Sequence, residues 1–379
     1  MDERFSLAVT LVGDVSSEPG AYVKYGVFLQ QLARHIPIAG VFDATLRNFA
    51  RWRNAARVFH YNPTLWKARF YQNVPAFRAR SKRAARWLGT LSPAPAAVMQ
   101  IGVLFDTLWE QPAIPGYIYT DYTAWLSAQR NVRERSPFSS QELHEWIALE
   151  RRAYQRARHV FVRSALVRES LINDYAIAPE KITVVGGGVN FEHLPEIRRV
   201  PRPPRNLFFI GKDFYRKGGD VLLLAFARLR EQIPDVRLKL MTNFPKSASA
   251  LPLEGVEVIA PTWNRSVIQG LYSQADVFVL PSRLETWGDV LLEAMAYGLP
   301  CVGVEGDAAS EIILPGKSGF VVPQQRPGAL AAALLRLCSD PQLAFHMGQA
   351  GRQHVERFCT WEHVVARMLP HFEAIKASR

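Results

Sequence analysis

Short apolar runs alternate with segments whose apolar positions recur at helical spacing along most of this chain. Residues 5–12 predict a first buried strand. Gly13 and the turn-rich stretch 16–20 then lead into residues 22–35, whose spacing predicts a helix. Further strands are predicted at 117–119, 159–162 and 181–185, with a charged helix over 140–158. After residue 206 the alternation is regular: runs at 207–210, 237–241, 256–259, 277–280 and 301–304 each lead into a turn and a helical segment. Continuous apolar strands between amphipathic helices predict parallel sheets covered on both faces. The run Gly186-Gly187-Gly188, followed by a Pro/Arg-rich stretch to Arg205, reads as a crossover and linker. The expected fold class is therefore α/β, two doubly wound Rossmann-like domains facing a cleft, residues 1–188 and 189–359. Ligands of such sheets bind in the loops at the carboxyl ends of the strands.

Composition narrows the class. At 379 residues with 48% hydrophobic and 21% charged side chains, wholesale disorder, collagen-like repeats and an integral membrane bundle are excluded. Cys301, Cys338 and Cys359 form no CxxC pair, which argues against a disulfide framework or a zinc site. The start lacks signal-peptide features, and no run approaches the roughly 18 apolar residues of a membrane span. The expected location is cytoplasmic, with any membrane contact peripheral.

The net charge of +12 is unevenly placed. Residues 44–105 contain no acid but hold Arg47, Arg51, Arg53, Arg57, Lys67, Arg69, Arg78, Arg80, Lys82, Arg83 and Arg86, interleaved with aromatics such as Trp52, Phe59, Tyr61 and Trp66. That mixture suits an anionic membrane surface, a nucleic acid or an anionic substrate. It also suits a solvated basic face over core aromatics.

Chemistry concentrates in residues 281–300, PSRLETWGDVLLEAMAYGLP. A strand ends at Leu280, the loop carries Ser282 and Glu285, Gly288 opens a helix, and Glu293 lies inside it. Backbone N–H groups of Gly288, Asp289, Val290 and Leu291 would then face an incoming anion, favoured by the helix dipole. A carboxylate on the same helix could accept both hydroxyls of a ribose.

This segment resembles the E-x-F-G-x-x-x-x-E-A-M-A-x-G-x-P hallmark of retaining family-4 glycosyltransferases of GT-B fold. Trp287 stands for the phenylalanine, and Glu285, Gly288, Glu293, Ala294, Met295, Ala296, Gly298 and Pro300 match. The resemblance implies that Glu285 sits beside the transferred sugar and that Glu293 binds the nucleotide ribose. Residues 209–225, FIGKDFYRKGGDVLLLA, are similar to the family's G-R-x(n)-K-G loop, with Gly211, Lys212, Lys217 and Gly218 at the matching positions and Arg216 as a substitute cation. Lys212 and Lys217 are thus implied to neutralise the diphosphate leaving group.

Weaker matches are residues 178–190, residues 308–319 with Glu311 and Gly319, and FCTWEHV at 358–364. The last implies a terminal helix, about 360–379, returning to the first domain. In the N-terminal, acceptor-side domain, Gly20 resembles the small-residue loop after the first strand. Asp121 stands nearest the family's histidine loop, as a group near the sugar or as a turn cap.

The implied function is transfer of a sugar from a UDP- or GDP-linked donor to a sugar or lipid-linked acceptor hydroxyl, with retention, in building a cell-envelope glycan. No cofactor is implied. The histidines show no H-x3-H or H-E-x-x-H spacing and there is no D-x-D, so no metal is expected. An anionic membrane surface through residues 44–105 is an expected partner, and nucleic acid is not. The alternatives are a sugar phosphorylase or nucleotide-sugar epimerase of the same fold, or a non-catalytic binding protein.

Overall fold

The computed structural model describes residues 5–376 other than 112, 131, 133 and 134. Its contacts divide the chain into two units, Met1–Gly186 with Val364–Arg379, and Gly187–His363.

In the first unit, the leading apolar run forms β1 (Leu7–Leu11), buried along its whole length. A parallel neighbour needs a long crossover. It is supplied by α1 (Pro19–His35), entered through a proline in its first turn, which returns the chain to β2 (Ile38–Asp43). Three helices follow, α2 (Asn48–Arg57), α3 (Pro63–Tyr71) and α4 (Val74–Leu88), before β3 (Ala97–Ile101). Then come β4 (Gly116–Thr120), α5 (Ala124–Ala128), α6 (Ser140–Arg156), β5 (His159–Val162), α7 (Ala165–Asn173) and β6 (Ile182–Val184). The Ser139–Glu142 capping box starts α6. The strands form one parallel sheet in the order β2-β1-β3-β4-β5-β6. Its direction of growth reverses between β1 and β3.

Neither β2 nor β3 was expected from the sequence, for different physical reasons. β2 lies at the sheet edge and is only half-buried, so its apolar signal is diluted. β3 buries Gln100, whose side-chain amide donates to the carbonyls of Gly102 and Phe105 and accepts from the N–H of Thr107. The basic segment is also corrected. Its cations do not form one solvated face: Arg80 is buried and donates to the carbonyls of Phe70 and Tyr71, closing the C-terminus of α3. Arg83, half-buried, donates to the carbonyl of Thr45.

A buried acid lies in this unit. Glu150 on α6 accepts from the Trp146 indole, the Ala124 N–H and the Tyr175 hydroxyl. Burial outweighs these bonds and pushes its carboxyl up to about 7 from an ordinary 4.5. The folded chain therefore holds a proton that the unfolded chain releases in that window, so stability falls as pH rises through it. The shift corresponds to roughly 3 kcal/mol. The variant E150Q is expected to flatten the fall in melting temperature between about pH 5 and pH 8. An unaltered slope in that variant would contradict the assignment.

The second unit contains β7 (Asn206–Asp213), α8 (Gly219–Gln232), β8 (Arg237–Asn243), β9 (Val256–Ile259), α9 (Arg265–Gln274), β10 (Val277–Val279) and α10 (Asp289–Ala296). It continues with β11 (Cys301–Val304), α11 (Ala309–Ile312), the unanticipated short strand β12 (Gly319–Val322), α12 (Pro327–Ser339) and α13 (Pro341–Phe358). The sheet is parallel, in the order β12-β11-β10-β7-β8-β9. The Pro/Arg stretch is no loose linker. Arg199 donates to the carbonyls of Tyr272, Ala275 and Tyr297, and Arg202 pairs with buried Asp276 at 2.6 Å. The last helix, α14 (Trp361–Lys376), begins in this unit, and from Val364 its residues belong to the first.

Candidate functional site

The strand order of the second unit reverses between β7 and β10, and in a doubly wound sheet the crevice for a ligand opens at the carboxyl ends of the strands flanking that reversal. The loops that meet there are 213–219, leaving β7, and 280–288, leaving β10. They are stitched together by direct bonds. The Arg283 N–H donates to the Arg216 carbonyl at 2.8 Å, and the Arg283 guanidinium forks onto both carboxylate oxygens of Asp220 at 2.7 Å. Gly218 makes this approach feasible: its φ is 74°, and a Cβ there would fall 2.0 Å from the Pro281 carbonyl oxygen.

Between the stitched loops, the Lys217 ammonium bonds Oε2 of Glu285. The same oxygen accepts from Ser282 Oγ at 3.2 Å, and the Glu285 N–H donates to buried Asp307 at 2.8 Å. Glu285 is 6% exposed. Its carboxylate is therefore fixed from both its side chain and its backbone. Gly288 follows with φ 107° and caps α10, a conformation open to glycine and strained for other residues. The first turn of α10 differs from the expectation in one respect: the Leu291 N–H already donates to the Gly288 carbonyl at 2.8 Å, so it is not turned toward a ligand. Asp289 and Val290 are the remaining first-turn positions.

Glu293 lies deeper in α10, 4% exposed, and its Oε1 accepts from Arg265 at 3.0 Å. Burial pushes its carboxyl up, and Arg265 opposes the shift. A buried carboxylate requires such a partner. Arg265 was not anticipated; the signal was the polar turn Asn264-Arg265 at the start of α9, where Asn264 caps the helix.

The Lys212 ammonium sits 3.9 Å from the centre of the Trp263 ring. Arg216 is engaged by Asp213 at 3.1 Å and by the Leu284 carbonyl at 3.1 Å, which ties the two loops together. Gly211 lies in β7, where a Cβ would be 2.7 Å from Cγ of Lys217. Asp307, missed in the sequence, is the residue that positions the Glu285 backbone.

In the first unit, Gly20 is in the opening turn of α1 and not in the preceding loop. The loop residue with left-handed backbone is Gly13, φ 111°, whose N–H donates to Asp43 at 2.9 Å. A cavity of about 340 Å³ at the carboxyl ends of β1 and β2 is lined by Gly13, Asp14, Ser16, Tyr22 and Asp43. Asp121, just after β4, pairs with Lys24 at 3.2 Å. Burial would push its carboxyl up, but Lys24 and Arg163 hold it well below the usual carboxylate range. It is not the cap of α5, a role taken by Thr123. Among the described residues, no group of three or more His, Cys, Asp or Glu could hold a metal ion.

Residues 190–354 match the family described as Glycosyl transferases group 1. The chain is 29% identical over 222 residues to the D-inositol 3-phosphate glycosyltransferase of Streptomyces bingchenggensis, an alignment covering 52% of this chain. The aligned part spans 49% of that relative's length. Among solved structures, the chain resembles the sucrose-phosphate synthase of Thermosynechococcus elongatus, with TM-score 0.71, 18% identity, and coverage of 99% of this chain and 100% of that one. It also resembles Anabaena HepE in complex with UDP and glucose, with TM-score 0.65, 15% identity, and coverage of 97% and 99%. These likenesses show the fold, two Rossmann-like α/β units as in GT-B proteins.

Proposed function

We propose that this chain is a retaining glycosyltransferase that takes a hexosyl group from a UDP- or GDP-linked donor without a metal ion. The observation that carries the reading is the Lys217–Glu285 pair, held where the two loops of the strand reversal meet beside the start of α10. In this reading the diphosphate lies against Lys217 and the Asp289 and Val290 end of α10, where cation and helix dipole favour negative charge. Lys212 and Trp263 flank the nucleotide, and Glu293, steadied by Arg265, accepts from the ribose hydroxyls. Glu285 faces the sugar. The UDP and glucose bound to the Anabaena structure support a nucleotide sugar as the donor.

The acceptor oxygen attacks the anomeric carbon on the face from which the diphosphate departs. The bond from that carbon to the phosphate oxygen breaks, and the acceptor proton passes to the departing oxygen. The products are a glycoside and a nucleoside diphosphate. Lys217 stabilises charge that grows on the leaving group, the situation in which a fixed cation has most effect. Glu285 needs no covalent bond to the sugar. The acceptor proposed is a lipid-linked or other cell-envelope glycan.

Slow hydrolysis of the sugar nucleotide in the absence of acceptor tests the stereochemistry, followed by proton NMR before the released sugar mutarotates. The first-formed sugar is expected to keep the donor's anomeric configuration. Release of the opposite anomer would overturn retention, and a strict requirement for inorganic phosphate would point to phosphorolysis instead.

A further inference from the structure

We propose that α2 and the loop after it form a docking surface for an anionic lipid bilayer. Tyr61, Phe49 and Trp52 are the three most exposed large hydrophobic side chains among the described residues, at 88%, 75% and 75%, and Phe59 is 65% exposed. All four fall within residues 49–61. The one buried residue of α2 is polar, Asn54, which donates to the Phe70 carbonyl, while Phe49 and Trp52, one turn apart, are exposed. A ten-residue helix that hides an amide and exposes two aromatic rings is not explained by packing within its own unit.

The charge around these rings identifies the occupant. Arg47, Arg51, Arg53 and Arg57 are exposed on and beside α2, and Arg53 lies over the Phe49 ring at 5.9 Å. Lys67, Arg78, Lys82 and Arg86 are also exposed on the next two helices, and residues 44–105 contain no acid to oppose them. Aromatics that enter the headgroup boundary, flanked by cations that meet lipid phosphates, are the pattern of a helix lying in a membrane surface. Each cation close to an anionic leaflet raises partitioning about fivefold. No helix of the described residues is long and apolar enough to cross a membrane, so this contact would be peripheral. The surface lies wholly in the first unit, and its failure would leave sugar-donor binding by the second unit untouched.

Co-sedimentation of the full chain with vesicles tests the proposal, using phosphatidylcholine alone and with about one third phosphatidylglycerol. Partitioning onto the anionic vesicles is expected to be about tenfold higher or more, and to fall in about 0.5 M salt as screening shortens. The double variant F49S/W52S should lose about tenfold in partitioning with an unchanged melting curve, since both rings are exposed. The triple variant R51Q/R53Q/R57Q should lose the preference for anionic lipid. Arg80 is unsuited to such a test because it is buried. The proposal is overturned if the wild-type chain stays in the supernatant at low salt with anionic vesicles, or if F49S/W52S binds them as well as wild type. Binding of single-stranded oligonucleotide that depends on these residues, without vesicle binding, would overturn it in favour of nucleic acid.

Discussion

Replacing Lys217 with methionine is expected to lower turnover by two to three orders of magnitude, about 3–4 kcal/mol of transition-state stabilisation, with a much smaller change in sugar-nucleotide affinity. The asymmetry follows from when the charge appears. A diphosphate bridged to a sugar gains negative charge on its leaving oxygen as the bond breaks, so the ammonium does more for the transition state than for the bound substrate. The same substitution leaves the Glu285 carboxylate buried without its cation, which also lowers stability. The double variant K217M/E285Q isolates the effect on stability, which should return toward wild type because a neutral amide at position 285 needs no counter-charge. Equal losses of affinity and turnover in K217M would contradict a leaving-group role.

Glu293 gives the second large effect. The variant E293Q is expected to weaken binding of the sugar nucleotide by about tenfold or more, the difference between a charge-assisted and a neutral acceptor for the ribose hydroxyls. Its melting curve should move little, since the amide has the same shape and can still accept from Arg265. By contrast, E293A should lower both, because it opens a cavity inside α10 and deprives Arg265 of its partner. Titration calorimetry alongside melting curves checks this. An unchanged dissociation constant in a well-folded E293Q would remove the ribose assignment.

The sequence made the second unit readable because its chemistry is local. The strand end at Leu280, the loop with Glu285, the glycine that caps α10 and Glu293 all fall within residues 280–293, so spacing alone places them relative to one another. What could not be read there depends on distant chain. Arg265 is 28 positions before Glu293, and Asp307 is 22 after Glu285. Nothing in either local pattern signals the partnership.

Lys212 and Lys217 look equivalent in a loop of one-letter codes. The backbone turns one onto Glu285 and the other onto Trp263. The first unit was less legible because its polar groups are used internally. Gln100 occupies a buried strand, Glu150 a buried helix face and Arg80 a helix end, so the residues that ordinarily mark a surface mark the interior. The same ambiguity hid the separation of buried Arg80 from exposed Arg51, Arg53 and Arg57, and with it the exposed rings of α2.

Titration of the full chain with UDP-, GDP- and ADP-sugars by calorimetry tests the central claim most directly. One class of sugar nucleotide should bind at one site per chain, more tightly than its free sugar, with an affinity that E293Q weakens and F49S/W52S leaves unchanged. Saturating concentrations of all three classes giving no heat and no shift in melting temperature would contradict the account of the second unit as a nucleotide-sugar site.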